Sequence, residues 1–195
     1  HSGNTLVDAI TSDGFNIGNN DQVNIAQPFV AWCWKESATS GFDIVSYTGN
    51  GSARTISHSL SAVPKLILVK NRDESDEWRV YHGANTAAPE TDFLVFNDTD
   101  ATADAADVWN DTAPTSSVFS LGDADEVNTN TEDYIAYLFA EKQGFSKFGT
   151  YEGSADADGP FVYTGFKPAF VICKADELSD WEMFDNKRLG YNVDN

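Results

Sequence analysis

The sequence predicts an all-β fold, an antiparallel β-sandwich or jelly-roll-like arrangement built from a tandem repeat. Short runs rich in Val, Ile, Phe, Tyr and Trp recur roughly every eight to fifteen residues, and Gly, Asn, Asp, Ser or Pro separates them. No window keeps apolar residues at i, i+3 and i+4 over three helical turns. Several segments also occur twice, in the same order. Short strands with regular turn signals are typical of two-layer antiparallel folds.

The individual strands and turns follow from these runs. In "TGNG" (48–51), Asn50-Gly51 tolerates the positive φ of a type I′ hairpin turn. The segment 98–107 is too rich in Asp and Thr to predict a helix. We expect strands at 29–34, 42–47, 65–70, 78–81, 93–96, 134–139, 145–151, 161–163, 169–173 and 181–184.

The repeat has a period of about 104 residues, which is the size of a domain rather than of a solenoid unit. Asn24, for example, recurs as Asn128, and the other matched positions lie 103–105 residues apart. The matched segments are "GFNIGNNDQVN" (14–24) with "VFSLGDADEVN" (118–128), "FVAWCWK" (29–35) with "YIAYLFA" (134–140), "GFDIVSYTGNGS" (41–52) with "GFSKFGTYEGSA" (144–155), and "PKLILVK" (64–70) with "PAFVICK" (168–174).

This period predicts the domain organisation. If a unit begins near Pro64, residues 64–159 form one complete unit. Residues 1–63 are then the C-terminal part of a first unit, and residues 160–195 open a following one. The last segment could close with 1–63, either within the chain or across chains. Because the chain begins without Met, we expect it to be a piece of a longer protein or a processed product.

The charge balance excludes two kinds of partner. The chain has 12 Lys and Arg against 31 Asp and Glu, a formal net charge of −19. Such a surface repels nucleic acid phosphates and anionic membranes. No run of about 18 apolar residues is present, so no membrane insertion is predicted.

The sequence does not predict an enzyme. Its three His residues fall into no recognisable Ser-His-acid pattern, and a chain with 31 acids always contains some pair of carboxylates. Cys33 aligns with Leu138, and Cys173 aligns with Val69, so both cysteines are expected to be buried free thiols.

Two groups of residues are candidates for binding. Asp156 and Asp158, in "DADG" (156–159), could supply oxygen ligands to Ca²⁺; the alternative is that they are solvated loop acids. Trp32, Trp34, Trp78 and Trp181 have aromatic counterparts in the other copy and are predicted to pack in a core.

Trp109 has no such counterpart. With its neighbours Asn110 and Asp111 it could stack on a sugar and bond its hydroxyls. The alternative is that Trp109 caps the sandwich. Apart from Ca²⁺, no cofactor is predicted.

Residues 133–174 and 181–192 resemble a repeat domain of structural proteins in marine tailed bacteriophages, and the likeness covers nearly the whole chain. The motifs that carry it are the Ala-Trp-Cys-Trp strand (31–34), the Tyr-Thr-Gly-Asn-Gly turn (47–51) and the Gly-Phe-x-Pro-Ala strand (165–169). It is loosest at 84–112. The resemblance implies a virion structural protein and brings no catalytic residues.

The resemblance leaves three functions open. The first is a tail-fibre or adhesin segment that acts as a spacer or binds a host-surface glycan. The second is a capsid decoration or head-fibre protein, and the third is a carbohydrate-active enzyme. The first implies a virion protein that is assembled in the host cytoplasm and then extracellular. Its expected partners are other virion proteins and copies of itself, as a homo-oligomer such as a trimer.

Overall fold

The computed structural model describes residues 5–187. These residues form twelve short strands and two single-turn helices. Their order is β1 (Val7–Ile10), β2 (Phe15–Ile17), β3 (Phe42–Thr48), β4 (Arg54–Ser57), β5 (Leu66–Asn71), β6 (Arg79–His82), β7 (Asp92–Val95), β8 (Ala103–Asp104), α1 (Ala106–Trp109), β9 (Val118–Leu121), α2 (Asp125–Asn128), β10 (Asp133–Phe139), β11 (Phe170–Cys173) and β12 (Glu182–Asp185).

The principal sheet has six strands in the order β3-β10-β5-β6-β7-β8, and every neighbouring pair is antiparallel. Its centre is β10, whose Ala136 lies opposite Val45 on β3 and opposite Val69 on β5. β10 alternates between fully buried and half-buried residues, the period of two expected of a strand with one face on a core. The predicted all-β antiparallel class is therefore confirmed.

A second layer covers this sheet, and the hydrophobic core lies between the two. The layer consists of the antiparallel pair β4-β9 together with α1 and α2. Facing layers with a shared apolar interior are the arrangement of a sandwich. The second layer contributes Ile56, Val108, Trp109, Phe119, Leu121 and Val127 to the core, and the principal sheet contributes Ile67, Val69, Tyr134, Ala136 and Leu138.

The compact part of the molecule comprises residues 37–140, here called the central unit. The predicted division at residues 63 and 64 falls within this unit, where β3 and β4 pair with β10 and β9, and the repeat bounds stay a prediction. A repeat period fixes the length of a unit but not the residue at which it begins.

Two flanks extend from the central unit. The N-terminal flank (5–36) contains the pair β1-β2, and the C-terminal flank (141–187) contains the pair β11-β12. The predicted strands at 29–34, 145–151 and 161–163 are irregular in the structure, although the other predicted strands correspond to observed ones. The sequence does not predict the strands β1, β2, β4, β8 and β9.

The C-terminal flank docks on the outer strands of the principal sheet. The Trp181 indole Nε1 donates a hydrogen bond of 2.8 Å to the Val95 carbonyl, and its ring centroid lies 5.1 Å from that of Phe96. A backbone bond of 2.9 Å from Ser179 N to Thr99 O adds to this contact. Within residues 5–187, no helix is long and apolar enough to cross a membrane.

Candidate interaction surface

Asn128 joins two turns in the interior of the central unit and is completely buried. Its side-chain amide donates hydrogen bonds of 2.7 Å to the carbonyls of Gly122 and Ser52. Its Oδ1 accepts a bond of 3.0 Å from Asn50 N, and its backbone carbonyl accepts one of 2.8 Å from Gly51 N. One buried side chain thereby satisfies the buried Gly122 carbonyl and fastens the exposed turn at 50–52 to the interior.

Two tyrosines support the same corner of the core. The rings of Tyr47 and Tyr134 are stacked with centroids 5.3 Å apart, and the Tyr47 hydroxyl donates to the Val127 carbonyl over 2.8 Å. The Tyr134 hydroxyl donates to Asp125 O and accepts from Thr129 N. Burial raises the pKa of both phenols above their usual value, so both remain protonated hydrogen-bond donors at neutral pH.

Trp109 lies inside the central unit and does not face solvent. α1 carries it, and Asn110, in the left-handed conformation with φ 53°, ends that helix. Trp109 is only 2% exposed and packs edge to face against Tyr81 at a centroid distance of 6.0 Å. No ring face is open to a sugar, so the prediction of glycan stacking on Trp109 is wrong and the alternative of a capping Trp is what the structure has.

Asn110 and Asp111 are exposed on the turn that follows, and both have positive φ. They therefore shape the end of α1, whereas the ring with which they were expected to form a site is turned away into the core. The sequence could not indicate this, because a single-turn helix leaves too few residues for a helical pattern.

Asp156 and Asp158 lie in an exposed irregular loop. The closest contact between them is a long hydrogen bond of 3.4 Å from Asp158 N to Asp156 Oδ1. Among the residues that the structure describes, no group of three or more His, Cys, Asp or Glu side chains is placed to hold a metal ion. The structure therefore adds no ligand to these two carboxylates, and calcium binding stays a prediction.

The two cysteines are free thiols, but the predicted burial is not observed. Cys33 is exposed and Cys173 is half-buried. Their counterparts Leu138 and Val69 are buried because β10 and β5 pair with each other, whereas residues 29–35 form no strand. The Cys173 thiol instead hydrogen-bonds the Tyr151 hydroxyl, which raises the pKa of that phenol.

Large aromatic side chains are exposed on both flanks, in contrast to the central unit. This aromatic surface consists of Phe29, Trp32, Trp34, Phe145, Tyr151, Phe161 and Tyr163, with exposed fractions between 39% and 89%. Where exposed apolar side chains lie together, they mark a surface that another protein surface covers. Trp32 and Trp34 already approach Phe170 of β11, at ring-centroid distances of 5.6 and 6.2 Å.

One edge of β11 is open beside these rings. Within residues 5–187, β11 pairs with β12 alone, while its counterpart β5 has a strand on both sides. An unpaired edge with apolar side chains is a template for a further strand. The flanks therefore offer what strand addition needs, backbone groups along an edge and aromatic rings beside it.

A shallow depression of about 290 Å³ also lies on the C-terminal flank, between Glu141, Lys147 and Tyr163. The Lys147 Nζ lies 2.9 Å from Glu141 Oε1, and this hydrogen bond lowers the pKa of the Glu141 carboxyl. Each group neutralises the other, so the pair stabilises the wall of the depression and we assign it no ligand.

Comparison with known proteins places the chain in a family without assigning a function. No curated protein and no solved structure gives a significant match. The family model of DUF7483, a domain of unknown function, matches residues 1–195, and the chain therefore belongs to this family.

Proposed function

We propose that the chain is a structural β module of a bacteriophage virion, a segment of a tail fibre or adhesin that serves as a spacer or binds the host surface. The observation that carries this proposal is the role of Asn128. It fastens the turn at 49–52, part of the motif on which the phage resemblance depends, to the interior of the central unit. A motif used for internal fastening supports a framework role rather than a catalytic one.

Charge and surface support the same proposal. A net charge of −19 gives a strongly hydrated surface that resists nonspecific association in salt water. The aromatic surface of the flanks supports contact with further copies of the chain or with other virion proteins. In this proposal a host glycan binds residues other than Trp109, whose ring is buried. The capsid decoration protein remains the second candidate, since it needs the same framework, and the carbohydrate-active enzyme remains the third.

The test is immunogold electron microscopy on intact virions of a phage that encodes this chain. Antibody raised against the folded chain is applied to the particles, and the same antibody absorbed with purified chain is the control. Label on the tail is the expected result. Label distributed over the head would replace the tail-fibre proposal with the decoration protein, and unlabelled particles would remove the chain from the virion.

A further inference from the structure

The C-terminal flank has the same local structure as part of the central unit. In the central unit Leu66 on β5 lies opposite His82 on β6, and in the flank Phe170 on β11 lies opposite Asp185 on β12. The hydrogen bonds around the two hairpins also correspond. Gly83 N donates to Lys65 O over 2.8 Å, Asn186 N donates to Ala169 O over 3.0 Å, and Lys70 and Lys174 each donate from Nζ to two carbonyls of the following turn.

The N-terminal flank corresponds in the same way to the segment that precedes β10. Gly18 N donates to Leu6 O over 2.9 Å, as Gly122 N does to Val108 O. The side-chain amide of Asn24 donates to Gly18 O over 2.8 Å, as that of Asn128 does to Gly122 O over 2.7 Å. The two flanks thus hold complementary halves of the structure seen in the central unit.

In residues 5–36 and 141–187, no strand corresponds to β10, the central strand of the central unit. In the central unit β10 lies between β3 and β5. Its counterpart in sequence is 29–35, and the counterparts of its two neighbours are 145–151 and β11. In the structure both 29–35 and 145–151 are irregular, and within residues 5–187 β11 has no strand on the side where the counterpart of β10 would lie.

The chain brings the two halves together at one point. β3 begins and β10 ends side by side, with Phe42 opposite Phe139 and a bond of 2.7 Å from Ala140 N to Gly41 O. The flanks therefore enter and leave the central unit next to each other. Trp34, the last aromatic of the N-terminal flank, lies against both Phe139 and Phe170, at centroid distances of 5.9 and 6.2 Å.

We propose that residues 29–35 add to the open edge of β11 as an antiparallel strand of the same chain, with Trp34 opposite Phe170, so that the two flanks close into a second β unit. This register is that of β10 on β5, where Phe139 lies opposite Leu66. The central unit is then a domain inserted between the two halves of another, which adjacent ends permit.

The register assigns each side chain to a face. Phe29, Ala31 and Cys33 take the positions of Tyr134, Ala136 and Leu138, which face the core. Ala31 comes to lie directly opposite Cys173, as Ala136 lies opposite Val69. Directly opposite residues have Cα atoms about 4.5–5.5 Å apart, a distance that a disulfide can span.

A disulfide at this position tests the register. Cys33→Ala/Ala31→Cys leaves one new thiol opposite the natural Cys173, and diamide oxidises the pair to a disulfide while it is itself reduced to the hydrazine. We expect loss of both free thiols, a mass two hydrogens lower and a monomer that migrates faster without reductant. The matched control, Cys33→Ala/Val30→Cys, places the thiol one residue away on the opposite face, and we expect it to keep both thiols.

The other outcomes contradict the proposal in different ways. A disulfide-linked dimer of the Ala31→Cys variant would show that a second copy of the chain fills the edge. Equal oxidation in the two variants would show that residues 29–35 have no fixed register. Free thiols in both variants after oxidation would show that no strand adds at this edge. None of these results depends on where the chain lies in a virion.

Discussion

At the scale of single residues, polar side chains do as much as apolar ones to define the central unit. Asn128 recurs as Asn24, so the sequence marked it as structural, but its role depends on a turn 76–78 residues away and is invisible in the pattern. Trp109 has no counterpart, and the sequence therefore leaves both a binding role and a capping role open to it. A residue that differs between the two copies shows only that its surroundings differ in the two copies. Here the Trp109 ring fills a buried position.

Replacing Asn128 by Ala should destabilise the chain strongly. The change leaves the buried Gly122 carbonyl without its partner, at a cost of about 1–3 kcal/mol, and it also removes the bonds to Asn50 N and the Ser52 carbonyl on the exposed turn. We expect the free energy of unfolding to fall by about 3 kcal/mol in urea denaturation, allowing for partial relaxation. Asn130→Ala, at an exposed position two residues further on, is the control and should change it by less than about 0.5 kcal/mol.

Replacing Trp109 should affect folding rather than recognition. Trp109→Ala removes a ring that is 2% exposed, and truncation of a buried Trp costs about 3–5 kcal/mol. Trp109→Phe should cost less, because it keeps much of the packing against Tyr81 and removes the indole Nε1, which has no hydrogen-bond partner within residues 5–187. Denaturation curves of the two variants provide the comparison. A fully stable Trp109→Ala protein would show that the ring is not part of the core.

At the scale of elements, the strands predicted from the sequence correspond to observed strands only where another strand pairs with them. β3, β5 and β10 are the longest strands, and β3 and β5 both pair with β10. The segment 29–34 has an equally strong pattern but no partner in the structure, because a β pattern states only that a segment suits a sheet.

The end of β6 should make stability depend on pH. Burial lowers the pKa of His82, whose ring lies 6.4 Å from that of Phe148 on the C-terminal flank. The unfolded chain, with a pKa near about 6.5, takes up a proton at a pH where the folded chain does not, so the free energy of unfolding decreases as the pH falls through that range. Below the folded pKa, the decrease from this residue stops.

His82→Gln removes this contribution. We expect the wild-type chain to lose more stability than the variant between about pH 7 and pH 5, measured by urea denaturation at both values. Comparing the two proteins cancels the effect of the many carboxylates. Equal losses would show that the imidazole is as accessible to protons in the folded chain as in the unfolded one.

At the scale of the whole molecule, the sequence predicts the class of fold but not the residues at which the compact unit begins and ends. The matched segments indicate a period, and the strand pairing shows which residues, 37–140, pack together as the compact unit. Pairing between β3 and β10 joins residues about ninety positions apart, which no local pattern reports. Net charge, in contrast, is a property of composition and could be stated from the sequence.

In a chain with this charge, salt can stabilise the fold by screening repulsion or by specific calcium binding, and the two effects can be distinguished. At −19, like charges repel in the folded chain, so added salt should raise the melting temperature by screening. If Asp156 and Asp158 are solvated loop acids, CaCl₂ and MgCl₂ at equal ionic strength should raise it equally. A calcium site would add a further rise with CaCl₂ alone, because a ligand that binds only the folded state stabilises it. Thermal denaturation of the wild-type chain and of Asp156→Asn/Asp158→Asn decides between them.

Because the two carboxylates lie in an exposed loop, we expect identical melting curves with the two cations in both proteins. A higher melting temperature with CaCl₂ than with MgCl₂ that the double variant abolishes would establish the calcium site.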